Sequence, residues 1–205
     1  MRQALYLFDT RTYKLTHVQG NDAIHSNPPG VLYAYTDPNG NSWAGSWEGG
    51  LMKYNDTTGK FEPFALIPFI VSITADVNCK ENNLLWICGG YSGLVLLDVK
   101  TKRTIELPKN INQPWSHNGG RIHVFYPDTT NGILWLGTQF GIEKYDPNTE
   151  HFARKMMPSS GIVGQFPSVN GVIRDKTDPT GHTWWVSAWV GGFHKWNRYT
   201  DELTS

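Results

Sequence analysis

An internal repeat constrains the fold of this chain more than any other feature of its sequence. Four segments each carry a β-rich run, a polar turn, a tryptophan, a Gly-apolar step and an aromatic-rich strand, in that order. The repeated tryptophans are 43, 49 and 50 residues apart. The repeated positions are Trp43, Trp86, Trp135 and Trp185, followed by Gly50-Leu51, Gly93-Leu94, Gly141-Ile142 and Gly192-Phe193. Because repeated units bury a core against their neighbours, the fold is expected to be a row of similar modules, with the four repeated tryptophans buried in the core.

Each repeated unit has the pattern of a four-stranded antiparallel sheet. Apolar and polar residues alternate at period two, and β-branched and aromatic residues dominate, which predicts strands and not helices. Turn sequences such as Asp37-Pro38-Asn39-Gly40 and Asp56-Thr57-Thr58-Gly59 separate the strands. A repeat of about 40–50 residues with four strands is typical of a β-propeller blade. The sequence therefore predicts an all-β fold made of propeller blades.

The predicted domain is a single run of about 4.5 blades. The stretch 1–18 aligns with the back half of the unit, so we expect a half blade there, followed by blades at approximately 31–64, 73–107, 122–155 and 172–205. Closing seven blades takes about 320 residues at this repeat length. We therefore expect a partial arc of a seven-bladed propeller, either as a fragment or completed by the remaining blades or a dimer partner. A five-bladed ring is the alternative.

The repeat resembles the two-component regulator propeller repeat, in which an Asp-x-x-Gly-x-x-Trp-x-Gly core precedes Gly-Leu and an aromatic strand end. The unit that follows this pattern most fully contains Asp37, Gly40, Trp43, Gly45, Gly50-Leu51 and Tyr54, whereas Cys88 and Ser187 replace the glycine after the tryptophan in two other units. The resemblance implies a periplasmic ligand sensor of a histidine kinase or hybrid two-component protein, with any kinase domain outside this sequence. It also implies that the ligand is an oligosaccharide.

Charge and hydropathy exclude several other classes of protein. Eighteen Lys and Arg residues balance eighteen Asp and Glu residues, so the chain lacks the excess positive charge of a nucleic-acid-binding surface. No apolar run reaches the ~18 residues of a membrane-spanning helix, and we expect no membrane contact by this segment. The first residues lack the apolar stretch of a signal peptide, so the periplasmic location rests on the resemblance.

Propeller connectivity predicts which loops bind a ligand. The second turn of each blade and the connectors between blades lie on one face, the top, and these connectors are long and rich in aromatic and amide side chains. Sugar rings pack on aromatic rings, while their hydroxyl groups need polar partners. The candidate ligand-binding residues are Trp47, Tyr91, Phe140 and Trp189 in the second turns, and His25, Trp115, His117, Arg121 and Gln165 in or next to the connectors. An alternative is that the repeated aromatics wedge adjacent blades.

No catalytic residue, metal site or cofactor is predicted. Glycoside hydrolysis needs two carboxylates about 5–10 Å apart, and the predicted top loops contain Asp22 and Glu48 on different blades. Two alternatives to the sensor remain: a protein-interaction scaffold without a small ligand, and a carbohydrate-active propeller enzyme, either a hydrolase or a lyase. Cys79 and Cys88 flank one hairpin out of register with each other, which predicts two buried free thiols.

Overall fold

A computed structural model describes residues 5–18, 30–89, 93–107, 110, 112–117, 120–157 and 168–204. These residues form one two-stranded and four four-stranded antiparallel sheets, and they contain no helix. The predicted all-β fold of four-stranded antiparallel blades is therefore confirmed. The chain divides into two compact units, Met1–Ile105 and Glu106–Ser205. In the part of the chain that is described, no helix is long and apolar enough to cross a membrane.

The first unit contains a hairpin and two blades. The hairpin consists of β1 (Leu5–Asp9) and β2 (Lys14–Val18). Blade 1 consists of β3 (Val31–Thr36), β4 (Ser42–Ser46), β5 (Leu51–Asn55) and β6 (Lys60–Ala65). Blade 2 consists of β7 (Ile70–Ala75), β8 (Leu84–Gly89), β9 (Gly93–Asp98) and β10 (Thr104–Glu106). Each strand pairs with the next one along the chain, as expected for a blade.

The second unit contains the other two blades, with the same strand order. Blade 3 consists of β11 (Ile122–Asp128), β12 (Ile133–Thr138), β13 (Gly141–Asp146) and β14 (His151–Met156). Blade 4 consists of β15 (Val169–Arg174), β16 (Thr183–Ala188), β17 (Gly192–Asn197) and β18 (Glu202–Thr204). Blades 2 and 4 begin three residues before their predicted starts, because their first strands extend into the connectors.

The first strand of every blade carries a β-bulge near its start. The register shifts lie between Val31 and Tyr33, Ile70 and Ser72, Ile122 and Val124, and Val169 and Gly171. A bulge leaves one residue unpaired and bends the strand. Because the bulge recurs at one place in all four blades, it is part of the repeat, although no shared residue type marks it in the sequence.

One turn conformation joins the third and fourth strands of each blade, and it also joins β1 to β2. An Asp or Asn side chain ends the first strand of the turn and accepts a hydrogen bond from the backbone N–H two residues later. Four residues after it comes a residue with a φ between 55° and 64°: Tyr13, Gly59, Lys102, Glu150 and Asp201. The N-terminal hairpin is therefore the back half of a blade, as its alignment predicts.

Neighbouring blades within each unit meet where a glycine faces the next first strand. A Cβ on Gly45 would lie 2.3 Å from Cγ2 of Ile70, and a Cβ on Gly137 would lie 2.6 Å from the carbonyl oxygen of Val169. Real carbon atoms do not approach this closely, so the two glycines allow blade 2 to contact blade 1 and blade 4 to contact blade 3. The apolar cores of these seams contain Trp43 with Ile70 in the first unit and Trp135 with Val169 in the second.

The predicted burial of the repeated tryptophans is correct at three positions and wrong at the fourth. Trp43, Trp86 and Trp135 have 0%, 3% and 7% of their surface exposed, but Trp185 has 42% exposed. Trp185 occupies the repeat position by register, because it pairs with Lys195 as Trp43 pairs with Lys53. Its face of blade 4 is uncovered among the described residues, and the preceding Trp184 is buried against blade 3 instead.

The two cysteines are free thiols, as predicted, but they differ in burial. Cys88 is fully buried in β8, and desolvation raises the pKa of its thiol far above the ordinary range. Cys79 is half-buried in the turn before β8, where its Sγ donates a hydrogen bond to Oδ1 of Asn83 at 3.0 Å. The prediction of two buried thiols is therefore wrong for Cys79.

Candidate functional site

The second turn of a blade is tied to the residue that precedes its first strand. The backbone N–H of Trp47 donates to the carbonyl of Gly30 at 3.0 Å, that of Gln139 to Arg121 at 2.8 Å, and that of Trp189 to Ser168 at 2.8 Å. We call this end of each blade, with its second turn and the start of its first strand, the loop edge. Its backbone is fixed by the sheet, so side chains there are presented from a rigid support.

Trp47 lies on the loop edge of blade 1 and is half exposed. Its ring meets that of Phe69 edge to face, with centroids 4.1 Å apart, and the N–H of Phe69 donates to the carbonyl of Trp47 at 3.1 Å. The exposed half amounts to 50% of the side chain's surface. Phe69 thus fixes the orientation of the indole, which leaves part of the indole open to solvent. Phe69 could not be singled out from the sequence, because its connector gives no repeat signal.

Trp189 lies on the loop edge of blade 4 and is the more exposed of the two tryptophans, with 80% of its surface open. Among the described residues no aromatic ring stacks on its indole. The equivalent residue of blade 3, Phe140, is half-buried, and its N–H donates to the hydroxyl of Thr138 at 3.2 Å. The second turns therefore present aromatics of very different accessibility, although the sequence places them at one repeat position.

Arg121 is exposed on the loop edge of blade 3, directly before β11. Two residues further along, His123 is half-buried, and its Nε2 has no hydrogen-bond partner. Burial, with a smaller effect from the positive charge of Arg121, lowers the pKa of His123 below its usual value. His123 is therefore held neutral near pH 7, and Arg121 supplies the positive charge at this edge.

Trp115 and His117 do not lie on the loop edge, and their predicted placement on the top face needs correction. The N–H of Phe152 in β14 donates to the carbonyl of Trp115 at 2.8 Å, and the guanidinium of Arg154 donates to the carbonyl of Ser116 at 2.6 Å. The connector therefore runs along β14, the outer strand of blade 3. By lying along β14, the connector covers the edge of the sheet, and a covered edge strand cannot pair with another chain. Trp115 is 52% exposed there.

His117 holds this connector through a buried contact with β13. Both His117 and Glu143 are almost fully buried, and Nδ1 of the imidazole lies 2.6 Å from Oε2 of the carboxylate. Nε2 faces the carbonyl oxygen of Gly120 at 2.8 Å, so it carries a proton and donates. Since Nδ1 shares a second proton with Glu143, removing either partner leaves a buried polar group unpaired.

The contact with Glu143 explains why a histidine is buried at position 117. The predicted contact of His117 with a ligand stays a prediction. Glu143 was missed by sequence reasoning, although one signal was available: it is an acidic residue on an inward-facing position of a strand. Three further candidates, His25, Tyr91 and Gln165, lie outside the described residues. Within the described ranges, no group of three or more His, Cys, Asp or Glu side chains is placed to hold a metal ion.

Comparison with solved structures identifies chains of the same fold. The extracellular domain of the hybrid two component system BT3049 from B. thetaiotaomicron aligns with a TM-score of 0.70 and 19% identity, over 99% of this chain and 30% of that chain. That of BT4673 from the same organism, described as a one component system in one structure and as a hybrid two component system in another, gives TM-scores of 0.67 and 0.68. The identities are 19% and 18%, over 94% of this chain and 24% of that chain.

These likenesses confirm the predicted β-propeller fold and agree with the resemblance to two-component regulator propellers at the level of the fold. The present chain spans less than a third of the length of these extracellular domains. No protein-family model and no curated protein matches the sequence.

Proposed function

We propose that this chain is a ligand-sensing segment of an extracytoplasmic two-component regulator, and that its loop edge binds an oligosaccharide. The likeness to extracellular domains of two component systems supports the sensor role. One observation carries the ligand class: Trp189 holds 80% of its surface open at the end of a rigid blade. An exposed indole on a fixed support is a platform for the apolar face of a sugar ring.

Two further side chains extend this platform in their own units. Trp47 offers a second oriented indole in the first unit, and Arg121 offers charged donors in the second. Arg donates several hydrogen bonds from a planar group, which suits the hydroxyl or acidic oxygens of a sugar. We assign no catalytic role to the chain: of the two carboxylates predicted in the top loops, Glu48 is exposed and Asp22 lies outside the described residues.

Calorimetric titration with neutral oligosaccharides, such as maltotetraose, cellotetraose and xylotetraose, tests the proposal. For a ligand that binds, Trp189→Ala is expected to raise Kd about fivefold, because it removes a stacking contact worth roughly 1 kcal/mol. Trp185→Ala is the matched control, since Trp185 is an exposed tryptophan of the same blade but lies on the sheet face. Equal losses in the two variants, or no binding of any oligosaccharide in the panel, would contradict the proposal.

The uncovered face of blade 4 favours a second role, the docking of a further four-stranded sheet. Ile173, Trp185 and Phe193 are 52%, 42% and 76% exposed on this face. The matching face of blade 1 is buried under blade 2, which argues for an occupant of the same kind. If a second copy occupies the face in solution, Phe193→Lys should lower self-association in sedimentation velocity. A concentration-independent monomer in both proteins would rule out that occupant.

A further inference from the structure

A polar cleft of about 530 Å³ lies in the first unit, away from the loop edge. Its walls come from the first and third turns of blade 1, from β5 and β6, and from the third turn of blade 2. The residues that matter for its chemistry are Lys53, Phe64 and Lys102, together with two carboxylates on the same walls, those of Asp56 and Glu62. The cleft therefore opens at the turn end of the seam between blades 1 and 2, opposite to the strand ends that form the loop edge.

Two lysines in this cleft share one pair of aromatic rings. The ammonium of Lys53 lies 5.4 Å from the ring centroid of Trp43, and that of Lys102 lies 4.8 Å from the ring centroid of Phe64. The two rings meet edge to face with centroids 4.9 Å apart. The ring contacts stabilise each ammonium by about 0.5–1 kcal/mol, and they hold two positive charges on one small aromatic pair.

Neither lysine has a carboxylate partner within 4.0 Å among the described residues. Glu62 stands opposite Lys53 in the register of β5 and β6. Its Oε1 instead accepts hydrogen bonds from the amide of Asn55 at 3.1 Å and the hydroxyl of Thr58 at 3.0 Å. The ammonium donors of both lysines therefore point into the cleft with no acidic oxygen bound to them.

The second unit has different residues at the equivalent place of its own seam, and it therefore serves as an internal control. Lys102 and Asp201 occupy the same place in their third turns, with φ values of 58° and 60°. Phe64 and Lys155 also hold equivalent positions. Each lies three residues after the first phenylalanine of its outer strand, which is Phe61 in β6 and Phe152 in β14. In the second unit Nζ of Lys155 bonds Oδ2 of Asp201 at 2.5 Å. That seam is neutralised by its own residues, whereas the seam of the first unit leaves two ammonium groups for an external anion.

We propose that this cleft binds the carboxylate of a small organic acid, held between the ammonium groups of Lys53 and Lys102. The two oxygens of a carboxylate accept from two separate donors, which matches the pair of lysines. This site does not depend on the sensor role proposed for the loop edge.

An NMR titration that follows the indole N–H of Trp43 tests the site, because Lys53 lies over that ring. The full chain is titrated with glucuronate, with glucose and with inorganic sulfate, all at one ionic strength. Glucuronate is expected to give a saturable shift and glucose none. Lys53→Met, which keeps the apolar stem, should raise Kd about tenfold through the loss of one charged hydrogen bond.

Lys102→Asp is the sharper variant, because it installs the residue that the second unit carries. Asp tolerates a positive φ, so the turn is expected to fold. Saturable binding of glucuronate should then disappear, while Lys60→Met, an exposed lysine of β6 outside the cleft, should leave it unchanged. An equal shift with glucose or sulfate, or unchanged binding in Lys102→Asp, overturns the proposal. Trp189→Ala should not alter this titration. The proposal for the cleft and the proposal that the loop edge binds an oligosaccharide can therefore be refuted separately.

Discussion

Blades 1 and 4 have equivalent sheet faces, each with a repeated tryptophan. Among the described residues, blade 2 covers this face of blade 1, and nothing covers it on blade 4. Trp43 in β4 and Trp185 in β16 stand at one register position, and both cross-strand partners are lysines. Trp43 is fully buried and Trp185 is 42% exposed. The difference lies in the neighbour: Ile70 and Ile73 of blade 2 complete the core around Trp43.

This comparison separates what a blade specifies from what its neighbour supplies. The repeat places an aromatic residue at the centre of every blade, and its indole N–H bonds a turn aspartate in both cases: Asp37 for Trp43 and Asp175 for Trp185. Burial then depends on the next sheet. A repeat protein gains most of its stability from such interfaces. Equivalent positions of the repeat should therefore contribute very differently to the free energy of unfolding.

Replacing the two tryptophans should give the largest contrast. Trp43→Ala is expected to lower the free energy of unfolding by about 3–5 kcal/mol, because it opens a cavity in a close-packed core. Trp185→Ala should change it by less than about 1 kcal/mol, since 42% of the side chain's surface is already in water. Urea unfolding followed by circular dichroism measures both. Similar losses in the two variants would mean that the face of blade 4 is covered in solution.

The residue two positions after the repeated tryptophan offers a second contrast, of intermediate size. Gly45→Ala should cost about 1–3 kcal/mol, because its new methyl group would overlap Ile70 and force the two blades apart. Ser187 holds the same register position in blade 4, and Ser187→Ala should be neutral within about 0.5 kcal/mol. The same urea titration applies. A tolerated Gly45→Ala would argue against the close approach of blade 2.

The sequence was sufficient for the strands, because alternation and turn residues are local signals. The four strands of each blade and the buried positions of Trp43, Trp86 and Trp135 follow from them. The exposure of Trp185 could not be predicted, since burial is a property of two sheets and the repeat describes one.

The placement of Trp115 shows a second limit of the sequence. The length and composition of a connector indicate that it is irregular, but they do not indicate its direction. The connector between blades 2 and 3 lies along β14 because His117 contacts the buried carboxylate of Glu143. That contact joins residues far apart in the chain, so no local pattern reveals it.

The hydrogen bonds of the two indoles give a smaller contrast between the same faces. Asp37 is buried and accepts bonds from Asn39, Asn41 and Trp43, so Asp37→Asn should cost about 1–2 kcal/mol by turning a donor toward these donors. Asp175→Asn should cost less than about 0.5 kcal/mol, because Asp175 is only half-buried and water can replace its bonds. Tm shifts measured by calorimetry compare them. Equal Tm losses would place Asp175 in a buried environment.

The smallest effect is expected at the half-buried Asp178, in the first turn of blade 4. Hydrogen bonds from the Thr180 hydroxyl, at 2.6 Å, and from the Thr183 side chain, followed by the backbone N–H groups of both residues, hold the pKa of Asp178 well below its usual value. A depressed pKa stabilises the fold above the unfolded pKa of about 3.9 and loses that contribution as pH falls through the folded value. Thr180→Ala should therefore raise the pKa of Asp178 and lower the urea midpoint slightly at about pH 6, with the difference from the parent protein shrinking toward about pH 2.5. Thr200→Ala is the control, because among the described contacts Thr200 donates through its backbone alone. An unchanged NMR titration of Asp178 in Thr180→Ala would contradict this prediction and would assign the low pKa to Thr183 and the backbone N–H groups.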